Sequence, residues 1–255
     1  MEIAEPDQNW PEEGNIIIQD LRATYTPNGP NVLHGIDLRI APGTKIGICG
    51  RSGSGKSSFL LSLFRMLENM PSGSITIDDI DLATLPRSLL RERLTAIPQE
   101  TLIIPGSMRE NIDPLKLSNI DDINLALEKV GLASLVAIRG GIETDMSDIG
   151  LSQGELQLFA VARALLRPSK ILVVDEMTSS MDHLSEERVL DLVQNEFEGS
   201  TVLAVAHRLA TIVDFDMVIV LDAGRLLESG RPRELLQKPD GHFKRMWDQQ
   251  ESQGQ

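Results

Sequence analysis

The sequence predicts an α/β fold built on a mainly parallel sheet, and three observations carry that expectation. Short, fully apolar runs such as Ile171–Val174 and Met217–Leu221 have the length and composition of strands buried on both faces. Strand patterns alternate with helical ones in the C-terminal half, the order that lays parallel strands side by side beneath helices. A glycine-rich loop, Gly50–Ser57, stands between an apolar strand pattern and an apolar helix pattern.

Residues 1–14 hold five acids and no Lys or Arg, with Pro6, Pro11 and Gly14, and read as an extended acidic lead-in. Strand patterns follow at 16–18, 23–25 and 36–40, separated by the turn residues Pro27-Asn28-Gly29-Pro30 and Pro42-Gly43. Lys45–Cys49 is a further strand, and Ser57–Leu67, apolar at 59, 60, 61, 63, 64, 66 and 67, is a helix buried on most sides. Gly73–Asp78 alternates through Ile75 and Ile77 as a short strand. Helical patterns then take over, as in Ile120–Val130 and Leu156–Leu166, which predicts a helical subdomain inserted at about residues 101–165. Beyond it come a strand at Ile171–Val174, a helix at Ser185–Glu196, and strands at Thr201–Ala206 and Met217–Leu221. The domain is expected to span 15–240, with 241–255 as a tail.

A length of 255 residues is enough for one large domain or two small ones. With 24 Lys+Arg against 38 Asp+Glu, the net charge is −14, and aromatic residues make up only 4%. Nucleic-acid binding is therefore not expected, because phosphate backbones call for clustered cations and stacking surfaces. The one cysteine, Cys49, excludes an intramolecular disulfide and fits a reducing compartment. The acidic start is unlike the basic start of a signal peptide. No apolar run approaches the ~20 residues of a membrane span, so the chain is expected to be soluble in isolation and to meet a membrane only through a partner.

Gly50-Arg51-Ser52-Gly53-Ser54-Gly55-Lys56-Ser57 fits the phosphate-loop pattern G-x-x-x-x-G-K-[ST] of P-loop NTPases. Its glycines let backbone N–H groups turn inward around phosphates, and the following helix points its positive end at the same anion. Lys56 is expected to reach the β- and γ-phosphates, and the Ser57 hydroxyl to ligate Mg²⁺; Ser58 is counted with the nucleotide-binding residues. By chance the pattern arises in roughly one chain in a hundred of this length, and here it also has the strand–loop–helix setting it needs. A second acid for the metal comes at the carboxyl end of the apolar strand Ile171–Val174, where ligands bind in open α/β sheets. Asp175 is expected to hold Mg²⁺, and Glu176 to act on the water that attacks the γ-phosphate.

Leu151-Ser152-Gln153-Gly154-Glu155, followed by an apolar helix, contains S-x-x-E and reads first as a capping box. The same stretch resembles the signature motif of ATP-binding cassette (ABC) proteins, usually written LSGGQ. Other elements of that family occur in its order from about Ile16 to Leu236. The resemblance implies an ABC ATPase fold: a parallel-sheet core, an antiparallel β subdomain and an inserted helical subdomain. Tyr25 resembles the aromatic that stacks on adenine, and Gln99, in Ala96-Ile97-Pro98-Gln99, resembles the glutamine that touches the metal or attacking water. Asp182, in Ser179-Ser180-Met181-Asp182, resembles the D-loop acid, and His207, in Val205-Ala206-His207-Arg208, resembles the histidine of the γ-phosphate. Ser152 and Gly154 fall where the family meets the nucleotide of an opposing domain.

Gly106–Leu115, reading GSMRENIDPL, is similar to a stretch of the multidrug-resistance-associated (C) subfamily. Glu176 is what its second nucleotide-binding domain retains, and the likeness leans toward a fungal type. The implied function is ATP hydrolysis at the cytoplasmic face of a membrane. Lys56, Gln99, Glu176 and His207 would be catalytic, ATP and Mg²⁺ the cofactors, and transmembrane domains with a second, head-to-tail cassette the partners. A soluble ABC ATPase and a nucleotide-binding regulatory module are the alternatives. Two departures stand out: Gln153 and Glu155 replace the usual Gly and Gln, and Gly141–Gly150 is a couple of residues short and lacks the family's acidic-Gly-Gly pattern.

Overall fold

A computed structural model describes residues 6–27, 29–69, 73–167, 169–175, 183–206 and 208–253. Their chain divides into two compact units. The first comprises the described residues of Met1–Thr95, Ser169–Asp175 and Gly199–Gln255; the second, those of Ala96–Pro168 and Glu176–Glu198.

The first unit opens with strands β1 (Ile16–Thr24), β2 (Leu33–Ile40) and β3 (Lys45–Cys49), then helix α1 (Lys56–Leu63). Strands β4 (Glu68–Asn69), β5 (Ser74–Ile77) and β6 (Ile80–Asp81) follow, then helix α2 (Arg87–Arg93) and, where the chain passes to the second unit, strand β7 (Thr95–Ile97). The second unit contributes α3 (Met108–Ile112), α4 (Ile120–Lys129), α5 (Ala133–Ile138), α6 (Met146–Ile149) and α7 (Gln153–Leu165). Strand β8 (Ile171–Val174) returns to the first unit, and helix α8 (His183–Glu196) to the second. The first unit closes with β9 (Thr201–Val205), β10 (Met217–Asp222), β11 (Arg225–Gly230), α9 (Pro232–Leu235) and α10 (His242–Gln253).

Two sheets of opposite character share one apolar core in the first unit. Strands β10, β3, β9 and β8 are neighbours in that order and pair in parallel, with β11 antiparallel on the outer side of β10. Strand β8 is buried at all four positions and β9 at all five, the signature of strands covered on both faces. The second sheet is antiparallel, ordered β2-β1-β5-β6 with β4 on β1. The expected α/β body, with a parallel core and an antiparallel β part, is thus the observed one. Among the described residues, no helix is long and apolar enough to cross a membrane.

Three elements differ from the sequence pattern. The separate strands expected at 16–18 and 23–25 are one strand, β1, interrupted by a bulge between Ile18 and Leu21. Asp20 sits there at φ 41, its amide donating to the Asp37 carboxylate at 2.8 Å, so one residue leaves the alternation and the pattern breaks. Helix α1 stops at Leu63 rather than 67, because Arg65 turns left-handed at φ 50 and its amide and that of Met66 bond back to Ser62 and Leu61. Within the expected tail, His242–Gln253 form α10, whose Phe243 is fully buried.

The acidic lead-in is tied down along its described part. Trp10 is buried, its indole N–H donating to the Ile77 carbonyl at 3.0 Å. The Asp78 carboxylate accepts the amides of Glu12, Glu13, Gly14 and Asn15 at 2.8–3.0 Å. These bonds satisfy a stretch of backbone that belongs to no ladder.

Candidate functional site

Residues 50–55 leave the carboxyl end of β3 and lead directly into α1. Helix α1 begins after Gly55 with no side-chain cap, so its first amides are unclaimed by any capping side chain. Lys56, only 8% exposed, folds beneath the loop and donates to the carbonyls of Gly50 at 2.9 Å and Arg51 at 3.2 Å. The ammonium has three donors, and these bonds fix it at the base of the loop. Gly50 adopts φ 153, and a Cβ there would stand 2.2 Å from the Leu221 carbonyl oxygen, so only glycine lets the loop turn this close to β10. Ser54 is buried at 2% exposure and its hydroxyl has no hydrogen-bond partner. Arg51, Ser52, Gly53 and Ser57 are exposed on the open side.

Tyr25, one residue past β1, is brought to the first turn of α1. The residue is 58% exposed and its hydroxyl shares a hydrogen bond with the Ser58 hydroxyl at 2.9 Å. Asp175 follows directly on β8, half-buried at the carboxyl end of the parallel strands. Cys49, the residue before the loop, is buried, and desolvation pushes its thiol up to about 12 despite the opposing charge of Lys56. No thiolate chemistry is available there at neutral pH.

A contributor the sequence reading missed is the turn between β10 and β11. The Gly224 amide donates to the Ser54 carbonyl at 2.9 Å, and its own carbonyl accepts from His34 at 2.9 Å. It thereby joins the loop to β2, at φ 72 and with a Cβ position 2.2 Å from the Val32 oxygen. Asp222-Ala223-Gly224-Arg225 is readable as a tight turn, but not as a brace for a loop so distant in sequence. Gly224→Ala is expected to cost about 1–3 kcal/mol through the left-handed backbone and the clash, and to loosen Ser54. Its denaturation midpoint would show this, and a midpoint equal to the parent's would remove Gly224 from the site.

In the second unit Gln99 is exposed, and its main-chain carbonyl accepts from the buried Gln157 amide at 2.6 Å. Thr101 donates to the Leu156 carbonyl at 3.1 Å, and Arg163 to that of Leu102 at 2.6 Å. Burial lowers the Arg163 guanidinium to about 10, and it lies 4.8 Å over the Phe159 ring. The expected capping box at the start of α7 is present: the Ser152 hydroxyl accepts the Glu155 amide at 3.3 Å, and the Glu155 carboxylate accepts the Ser152 amide at 2.7 Å. Gly154 lies in the first turn, half-buried. Thus α7 begins with a carboxylate already on its N-cap amide, whereas the first turn of α1 holds no acid. Glu176, Asp182 and His207 lie outside the described residues.

Residues 33–179, more than half of the chain, match the family model described as ABC transporter. ABC multidrug transporter B of Aspergillus fumigatus is 46% identical over 239 residues, which cover 94% of this chain and 16% of that protein. ATP-binding cassette sub-family C member 2 of Homo sapiens is 44% identical over 237 residues, covering 92% and 15%. The solved structure of a bacterial Atm1-family ABC exporter with ATP bound matches at a TM-score of 0.86 and 30% identity, over 98% of this chain and 44% of that one. The chain spans about a sixth of the length of the curated relatives it matches.

Proposed function

Because the chain belongs to the ABC transporter family, as an ATPase domain, we propose that it binds MgATP in its own phosphate loop and hydrolyses it to drive export through membrane-spanning partners. The observation that carries this reading is the pairing of an uncapped α1 with a loop whose lysine is fixed at its base and whose flank bears an exposed aromatic ring. The amides of 51–57 and the Lys56 ammonium would hold the phosphates, and Tyr25 the adenine. Hydroxyl and carboxylate oxygens are the hard donors that Mg²⁺ takes, so Ser57 and Asp175 suit it, with Gln99 assisting. When bound, the ion neutralises charge on the β- and γ-phosphate oxygens.

The chemistry is in-line attack of water on the γ-phosphate, which depends on positioning and charge more than on covalent help. Lys56 would supply positive charge at the phosphates, and the family resemblance gives Glu176 the task of orienting and deprotonating the water and His207 that of neutralising charge at the γ-phosphate. Asp182 and the Ser152–Gly154 end of α7 would serve the nucleotide of an opposing cassette in a head-to-tail dimer. The chain would then work at the cytoplasmic face of a membrane, without inserting into it.

The finer assignment is the second nucleotide-binding domain of a C-subfamily transporter, perched on the Gly106–Leu115 stretch and on Glu176. The 44% identity to a human sub-family C protein supports the subfamily. Saturable MgATP binding and phosphate release by the purified chain test the core of the reading. A folded chain that binds ATP without releasing phosphate would favour the regulatory alternative.

The altered signature makes a separate prediction. A carboxylate at 155 opposes the attraction of the helix end for a polyphosphate, and a side chain at 153 crowds the approach that Gly allows. Glu155→Gln keeps a residue able to complete the capping box while removing the charge. With Gln153→Gly it is expected to raise basal ATPase about two- to fivefold, the span of one helix-end charge. If turnover is unchanged in a variant that folds and binds ATP, the signature does not limit the reaction.

A further inference from the structure

We propose that Arg139 is a positioning residue for the signature stretch Leu151–Glu155: its guanidinium braces the turn that delivers α7, and so sets how the Ser152–Gly154 end is held out to the nucleotide of an opposing cassette. The inference rests on the head-to-tail reading above and adds a residue and a task to it. Only Gly150, Leu151 and Ser152 separate the last residue of α6 from the first of α7. Gly150 turns left-handed there, at φ 59 and ψ 55. The carbonyls of Ile149 and Gly150 stand where a four-residue helix ends, and a helix end leaves carbonyls without intrahelical partners. The Nη1 of Arg139 takes both, donating to Ile149 at 2.5 Å and to Gly150 at 2.9 Å.

The brace is anchored at its root. Arg139 closes α5, its amide donating to the Leu135 carbonyl at 3.1 Å, and α5 is seated by the buried Val136. The segment before the turn is held as well. The Met108 amide donates to the Thr144 carbonyl and the Met146 amide to the Gly106 carbonyl, both at 2.9 Å, and the Asp145 carboxylate caps α6 through the Ser147 amide at 2.9 Å. Arg139 supplies the hold on the last step, from Ile149 to the N-cap of α7. A cation bonded to two successive carbonyls resists rotation of the turn, and charge-assisted bonds are about twice as strong as neutral ones. The braced segment is the one where this chain is short of the family's acidic-Gly-Gly pattern, so its support comes from a residue outside that pattern.

Arg139 is exposed and outside the core, so Arg139→Ala is expected to fold. In the Glu176→Gln chain, Arg139→Ala should raise the dimer dissociation constant at saturating MgATP about tenfold or more, the scale of one charge-assisted hydrogen bond. ATP binding at chain concentrations too low for dimers should stay as it was, because the phosphate loop lies in the other unit. Arg139→Gln, which keeps one neutral donor, should fall between the two and carries the test if the alanine variant does not fold. Sedimentation with titrated MgATP reads both quantities. The proposal is overturned by dimerisation as tight as in the Glu176→Gln chain, by a lowered denaturation midpoint with dimer affinity unchanged, or by an equal loss of ATP binding in the monomer. A Glu176→Gln chain that binds ATP and stays monomeric overturns the head-to-tail reading and this inference with it. One that dimerises without regard to residue 139 overturns this inference alone.

Discussion

Lys56→Ala is expected to abolish productive use of ATP: turnover at saturating nucleotide should fall about 100-fold or more, the scale for removing one preorganised charge contact from a transition state. The side chain is 8% exposed and rests on the Gly50 and Arg51 carbonyls. Its removal would therefore delete the cation proposed for the β/γ-phosphates, and it leaves two loop carbonyls without their donor. Both effects act against a polyanion, because carbonyl oxygens repel phosphate once no ammonium stands between them. Each charge-assisted bond lost is worth about 1.5–3 kcal/mol, so affinity should fall as well, while the core around β3 and β9 is untouched. Phosphate release and calorimetric titration measure the two losses; normal turnover would sink the phosphate-loop assignment.

For Glu176→Gln the expected pattern is the reverse, with binding kept and hydrolysis lost. Glutamine has the shape of glutamate and no basic oxygen, so water can be held but not deprotonated. General-base contributions of about 10²–10⁴ set the size of the fall. Nucleotide that enters but is not cleaved should hold two cassettes together, and sedimentation at saturating MgATP should then show a dimer absent from the parent. Monomers throughout would count against the head-to-tail sandwich, and full turnover would show that another group is the base.

What was legible in the sequence was what a few contiguous residues encode. The phosphate loop is eight consecutive positions, four of them specified by backbone geometry or charge, and β8 and β10 announce themselves by unbroken apolar runs. The capping box of α7 was readable because its two partners lie three residues apart. Contacts between remote segments were not. Nothing local to Asp222–Arg225 says that its glycine amide will satisfy Ser54, and nothing near Thr24 says that the next tyrosine will meet Ser58. Strand β1 reads as two strands in the sequence because a bulged residue shifts the period-two pattern by one and mimics a turn. Strand β11, with its exposed and half-buried positions, carries no apolar run to read at all.

The carboxylate of Asp78 gives the molecule a mechanical property. Four successive amides, from Glu12 to Asn15, converge on one side chain at the tip of the β5–β6 hairpin. A pull applied at Pro6 is therefore loaded first onto that hairpin and onto the Trp10 anchor beneath it, before any ladder bond of β1 feels it. The lead-in works as a strain-relief clip of the kind that keeps tension on a cable away from its terminals.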